Sequence, residues 1–267
     1  SASASASMGG RESVSQLVPP LLAVLVQRVG RGAGVRGRSA AEVAESAVSA
    51  SGTLLRVDLA DRQLSDSDLA LLAPALALTI QNRVERASGR SAGQAAALHI
   101  SLEKNRVGDA GVEALCMALG SLMVAGIAFP RYLSLFRNAV TDDGAATLAS
   151  LLALQTYTVS LGIRAMQELH LSHNRLTEWG VETLVSAAQQ SVYPYAVGAG
   201  KTPLWLRIEY NSVDLRRISL APALHCTCTA ASGCKTHQCS RRPVPPVHLP
   251  HLDKQNRDRA YGAGRQW

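Results

Sequence analysis

"MQELHLSHNRL", residues 166–176, decides the fold. Met166, Leu169, Leu171 and Leu176 are apolar, polar residues alternate between them, and Asn174 sits just before the last. Alternation at period two predicts a half-buried strand, and the Asn marks the turn that ends it. Four other stretches fit the same template: "LLRVDLADRQL" from Leu54, "ALHISLEKNRV" from Ala97, "PRYLSLFRNAV" from Pro130 and "PLWLRIEYNSV" from Pro203. The ninth position holds Arg62, Asn105, Asn138, Asn174 and Asn211 in turn.

The residues after each strand repeat as well. Gly111, Gly144 and Gly180 each lie six residues beyond the ninth position. Apolar residues then recur at helical spacing: Leu69, Leu72, Ala73 and Leu76; Val112, Leu115, Cys116 and Leu119; Ala145, Leu148, Ala149 and Leu152; Val181, Leu184, Val185 and Ala188. That pattern makes one face of an α-helix. Each unit is therefore a strand, a turn and an amphipathic helix. One unit cannot bury both its strand and its helix, but stacked units share a continuous aliphatic core. An aromatic content of only 4% fits such a core.

These residues resemble the leucine-rich repeat family, in its ribonuclease-inhibitor-like form with a helix in every repeat. The resemblance implies an α/β solenoid, or horseshoe, with a parallel sheet on the concave face and helices on the convex face. It also implies that the recurring Asn bonds to backbone in neighbouring coils, and that the usual task is protein binding. Such repeats occur in the Ran GTPase-activating protein too, so a regulator of a small GTPase is an alternative, although that protein's long acidic tail has no counterpart here.

The pattern divides the chain into an N-terminal helical cap with an Arg/Gly hinge (1–53), a solenoid of about five repeats (54–224) and a basic, Cys/His-containing, mostly disordered tail (225–267). Within the cap, "SVSQLVPPLLAVLVQRV" (13–29) predicts one helix, and "SAAEVAESAVSAS" (39–51) predicts another, with Ser39 and Glu42 at capping-box spacing. Asn-to-Asn spacings of 33, 36 and 37 exceed the usual ~20–29 residues of such repeats, so the surplus is expected in loops. "QNRVERASGRSAGQ" (81–94) reads as the longest of these loops. After Asn211 the helix signal fails: Arg217 replaces Gly and Pro222 falls mid-helix.

Charge is uneven. The net values are +2 for 1–53, −2 for 54–215 and +7 for 216–267, so the basic character belongs to the tail. A basic tail can attract phosphate backbones, which makes an RNA-associated adaptor a further alternative. The longest apolar stretch, 115–130, is too short to cross a bilayer. The reading is an intracellular protein, cytoplasmic or nuclear, with reduced thiols.

Two stretches imitate phosphate loops. "YAVGAGKT" (195–202) has Tyr195 where the first Gly belongs, and Lys201 and Thr202 lead into a strand rather than a helix. "GAGVRG" (32–37) follows an intervening "QRVGR", so it reads as a hinge. "HCTCTAASGCKTHQC" (225–239) is more chemical. Cys226, Cys228, Cys234 and Cys239, with His225 or His237 as substitute, offer a structural zinc site; otherwise they are thiols on a loop. No other cofactor is called for, and no catalytic residue is assigned.

Positions 3, 5, 7 and 8 of each template point away from the core. They include Arg56, Asp58, His99, Glu103, Lys104, Tyr132, Phe136, Arg137, Glu168, His170, His173, Trp205, Arg207, Glu209 and Tyr210. A solvated face has no need of Trp, Phe and Tyr, whereas binding surfaces favour Trp, Tyr and Arg. These fifteen residues are the expected partner-binding set of a non-enzymatic scaffold. The bland alternative is that the aromatics pack beneath long inter-repeat loops.

Overall fold

The computed structural model describes residues 34–35, 37–51, 54–87, 95–159, 164–197, 200–214, 217–228, 233–234 and 237–250. The expected helix at 13–29 and the end of the tail at 251–267 lie outside the described residues.

The repeats fold as their periodicity predicts. Strand β4 (Leu54–Asp58) leads to helix α2 (Asp66–Arg86), β5 (Ala96–Ser101) to α3 (Asp109–Val124), β6 (Ala128–Ser134) to α4 (Asp142–Val159), and β7 (Glu168–His170) to α5 (Glu178–Gln190). Strand β10 (Leu204–Arg207) has no helix after it among the described residues. Strands β4 to β7 and β10 pair in parallel, each beside the strand of the next repeat, and the helices pack against one another in chain order. One inward position of each strand carries the core: Val57, Ile100, Leu133, Leu169 and Leu206 are all buried. Each such side chain contributes about 1.5–3 kcal/mol when removed from water.

The N-terminal end is covered. Helix α1 (Ala40–Ala47) starts at a capping box in which Ser39 and Glu42 bond reciprocally, and it packs on α2. Strand β3 (Val48–Ser51) then pairs antiparallel with β4. Gly34–Val35 (β1) and Arg38–Ser39 (β2) form a two-residue hairpin that carries part of the "GAGVRG" stretch, with Gly37 at φ +79°.

Three expectations require correction. The helix expected over 39–51 ends at Ala47, because Val48–Ser51 pair with β4 instead. Residues 81–86 are not loop but the last turns of α2. Gln81, Arg83 and Glu85 favour helix, Gln81 Nε2 donates to Glu85 Oε1 at 2.8 Å, and Arg83 pairs with Glu45 at 2.7 Å. Much of the repeats' surplus length thus goes into helix, and in the last gap into the hairpin β8 (Tyr195–Val197) and β9 (Gly200–Thr202).

The tail also differs from expectation. Strands β11 (His225–Cys228) and β12 (Val247–Pro250) extend the sheet, giving the order β11-β12-β10-β7-β6-β5-β4-β3. Without β12, the parallel edge of β10 would present unpaired backbone groups and an open apolar core. Leu204 N–H donates to Pro246 O at 2.9 Å, and Val247 and Leu249 are fully buried against that core end. A short V-x-L run set among prolines was enough to make a covering strand.

Candidate functional site

Asn105, Asn138, Asn174 and Asn211 build a ladder along one edge of the sheet. Asn174 Nδ2 donates to Leu135 O at 2.8 Å in the preceding repeat and to Leu171 O at 3.0 Å in its own, while its Oδ1 accepts from Val140 N–H at 3.0 Å. Asn211 repeats the pattern on Leu171, Ile208 and Leu176. The residue before each ladder position is left-handed: Asp61, Lys104, Arg137, His173 and Tyr210 have φ between 53 and 59°. That conformation, uncommon in side chains other than Gly, turns the chain out of the strand at the same place in every repeat. It leaves Asp61, Lys104, Arg137 and Tyr210 exposed and His173 half-buried, as one row across the sheet.

Rings line up beside this row. His173 stacks on Tyr210 at 4.3 Å, Phe136 meets His173 edge-on at 5.2 Å and His170 at 5.1 Å, and Arg137 lies over Phe136 at 5.3 Å. A second group forms higher on the strands. Tyr132 lies between His99 (5.3 Å) and His237 (5.6 Å), and Trp205 stacks on His248 at 4.0 Å and meets His237 at 5.6 Å. His237 Nε2 also contacts Glu168 Oε2 at 2.8 Å.

The predicted surface is therefore brought together but not uniformly open. Arg56, Asp58, Lys104, Arg137 and Tyr210 are exposed; His99, Glu103, Tyr132, Phe136, Glu168, His173 and Arg207 are half-buried. Trp205, His170 and Glu209 are buried, at 7%, 9% and 3% exposure, so they cannot be primary contacts. Trp205 packs against His237 and His248 of the C-terminal segment, not beneath an inter-repeat loop. His237, Arg131, Gln167 and Lys201 are additions to the predicted set; they line a groove of about 880 Å³ between the sheet and the segment 233–244. No sequence signal marks that groove, because it depends on where the segment folds back.

Buried polar groups on this face pair with one another. Ser134 Oγ donates to Glu103 Oε1 at 2.8 Å and stands 3.4 Å from His170 Nδ1, and Ser172 Oγ donates to Glu209. The acid here holds the serine rather than orienting the imidazole, the reverse of what an activated nucleophile requires. Burial lowers the pKa of His99, His170 and His173, and Arg56, Arg207 and Arg137 respectively lower it further.

The Cys/His segment forms a separate cluster. The metal-ligating atoms of Cys226, Cys234, Cys239 and His248 all lie within 4.8 Å of one another. His225 and His237 are outside this group, and the side chain of Cys228 is outside the described residues. Burial pushes the Cys239 thiol up, while hydrogen bonds from the Arg241 backbone and the Cys226 side chain pull it down. Within "YAVGAGKT", Tyr195–Val197 pair antiparallel with Gly200–Thr202, so Lys201 and Thr202 lie in a strand and not at a helix start.

Comparison with known proteins agrees with this architecture. The leucine-rich repeat family model matches residues 98–116 and 131–149. Ribonuclease inhibitor from Sus scrofa is 36% identical over 93 residues, which are 35% of this chain and 18% of that protein. The chain thus spans less than a fifth of the length of that relative in the matched region. No helix among the described residues is long and apolar enough to cross a membrane.

Proposed function

We propose, for a chain that is a leucine-rich repeat protein of ribonuclease-inhibitor-like type, that it is a non-enzymatic scaffold gripping a protein partner on the open sheet face. The observation that carries this reading is the row Asp61, Lys104, Arg137, His173 and Tyr210, set at one position of five successive repeats beside Phe136, which meets His173 edge-on, and the stacked rings of His173 and Tyr210. Tyr and Arg are the residue types that dominate binding energy, and here the backbone fixes their bases before any partner arrives. Mixed charge along the row favours a partner with complementary rather than uniform charge. The setting is intracellular, where the thiols stay reduced.

The test is site-specific photo-crosslinking in a native lysate. Probes at Arg137 and Tyr210 are expected to capture the same proteins, and probes at Met117 and Trp179, exposed on the helical side, are not. Capture confined to the helical side, or abolished by nuclease, would move the function away from the sheet face.

A further inference from the structure

We propose that Cys226, Cys234, Cys239 and His248 bind a structural zinc ion that fastens the C-terminal segment across the end of the sheet. Register brings two of them together: in the parallel pair β11–β12, Cys226 stands opposite His248, so both side chains lie on one face. Cys234 and Cys239 reach the same point from the connecting segment, and all four ligand atoms fall within 4.8 Å of one another. Four ligands around zinc, at about 2.3 Å for sulfur and 2.0–2.1 Å for nitrogen, stand roughly 3.4–3.8 Å apart in a tetrahedron. Closing this cluster onto an ion needs contraction of about 1.5 Å at most.

The surroundings suit that ion. His248 is fully buried, Cys226 is 2% exposed and Cys239 is 8% exposed. His248 is held by its stack on Trp205 at 4.0 Å, which limits rotation of the ring. Ser240 N–H donates to Cys234 Sγ at 3.3 Å, the kind of outer contact that orients a thiolate ligand. Three thiolates, one neutral imidazole and Zn²⁺ leave one negative charge. Arg241 and Arg242 belong to the same segment, where they bond to His225 O at 2.7 Å and Cys239 O at 2.9 Å.

β12 is anchored by its pairing with β10 and by Val247 and Leu249 in the main core, but the rest of the segment buries little of its own. Its own apolar cluster consists of Cys226 and Cys239 with Cys234 and Val244 packed on them. A lobe with so little core is the case in which a metal replaces burial as the organising force. Three cysteines and a histidine fill a closed tetrahedron, so the ion has no open position for substrate and its role is structural. It would also seat His237 against Glu168, Tyr132 and Trp205. This inference does not depend on the sheet face binding a partner.

The experiment is metal analysis of the purified full chain by mass spectrometry, with about one zinc per chain expected. His248→Ala and Cys234→Ser are expected to fall below about a fifth of an equivalent, while Cys228→Ser keeps its zinc. Cobalt(II) added to metal-free wild-type chain supplies a readout independent of variant folding: intense thiolate charge-transfer and tetrahedral ligand-field bands, both displaced by stoichiometric zinc. A wild-type chain without zinc and without those bands overturns the proposal. So does a disulfide among Cys226, Cys234 and Cys239 in protein kept from air, or zinc lost from Cys228→Ser but kept by His248→Ala.

Discussion

Gly144 N–H donates to Asp109 Oδ1 at 3.0 Å, across a repeat boundary, and a Cβ at position 144 would stand 2.5 Å from that oxygen. Asp109 also accepts from Thr141 N–H at 2.8 Å and Thr141 Oγ1 at 2.6 Å, so it cannot move without releasing three donors. The repeated glycine is thus required by the aspartate that begins the previous helix. Gly144→Ala is expected to cost roughly 2–4 kcal/mol, read as a lower urea midpoint. Asp109→Ala is expected to cost about 1–3 kcal/mol, and the double variant less than the two together, because the added methyl then meets only Val140 Cγ1, at 2.6 Å, and no longer the carboxylate. Full additivity would sink the coupling.

The same device recurs between Gly111 and Asp66, where the added Cβ would lie 2.6 Å from Asp66 Oδ1, and between Gly180 and Asp142. The glycines are visible in the sequence as a periodic feature, and so is the Asn ladder, since the three units with Asn105, Asn138 and Asn174 show both. Their partners are harder to read: Asp66, Asp109 and Asp142 lie four residues after the ninth position, but their targets belong to the next repeat. A single unit does not reveal what it owes its neighbour. The C-terminal strands are illegible for a related reason. Val247, His248 and Leu249 form too short a run to stand out among prolines, and the edge they complete is supplied by β10, about 40 residues earlier. Likewise His248 carries no local mark of a ligand.

Asn174 is expected to be highly sensitive to substitution. It is 9% exposed, and replacing it by Ala strands Leu135 O, Leu171 O and Val140 N–H in the interior. Asn174→Ala should cost roughly 3 kcal/mol or more. Asn174→Asp keeps an acceptor but loses both donated bonds and adds a buried charge, so it should be no better. A midpoint within experimental error of wild type for either variant would contradict the ladder's structural role.

Acidification should weaken the fold in two windows. The folded-state pKa values of His99, His170 and His173 lie below the ordinary imidazole value because burial, then the neighbouring arginines, oppose the charged form. The unfolded chain therefore binds more protons as pH falls through about 6.5, and stability drops in that range. Glu168 responds lower: burial pushes its carboxyl up, but His237, Arg207 and His170 pull it below the usual range overall. Its contribution is present above about pH 4.5 and lost below it. Urea midpoints at pH 7.5 and 5.5 are expected to differ, with a smaller gap for His173→Gln. An identical midpoint at both pH values would remove the histidines from the account.

Cys116 should be silent toward thiol reagents in the native chain. It sits in the core face of α3 at 8% exposure, and burial alone pushes its thiol to about 12. Since the thiolate is the reactive form, alkylation at pH 8 followed by peptide mapping should leave Cys116 unmodified until denaturant is added. Rapid native labelling would mean that α3 opens on the experiment's timescale.

Trp205 and Tyr210 belong to the same repeat, and the sequence pattern assigns both to a partner, but the structure separates their tasks. Trp205 is 7% exposed and lies under His248 and His237, whereas Tyr210 is 40% exposed and stacks on His173 at the open edge. Trp205→Ala removes the ring on which the C-terminal segment rests and should cost roughly 3–5 kcal/mol. Tyr210→Ala removes a ring that is partly exposed and has one stacking partner, and should stay within about 1 kcal/mol of wild type. In partner capture by the intact fold the order reverses: Tyr210→Ala loses binding while its denaturation curve is unchanged. If Tyr210→Ala instead unfolds the chain, the row of left-handed residues is holding the sheet together. If it leaves both stability and capture untouched, the open face is not where the partner sits.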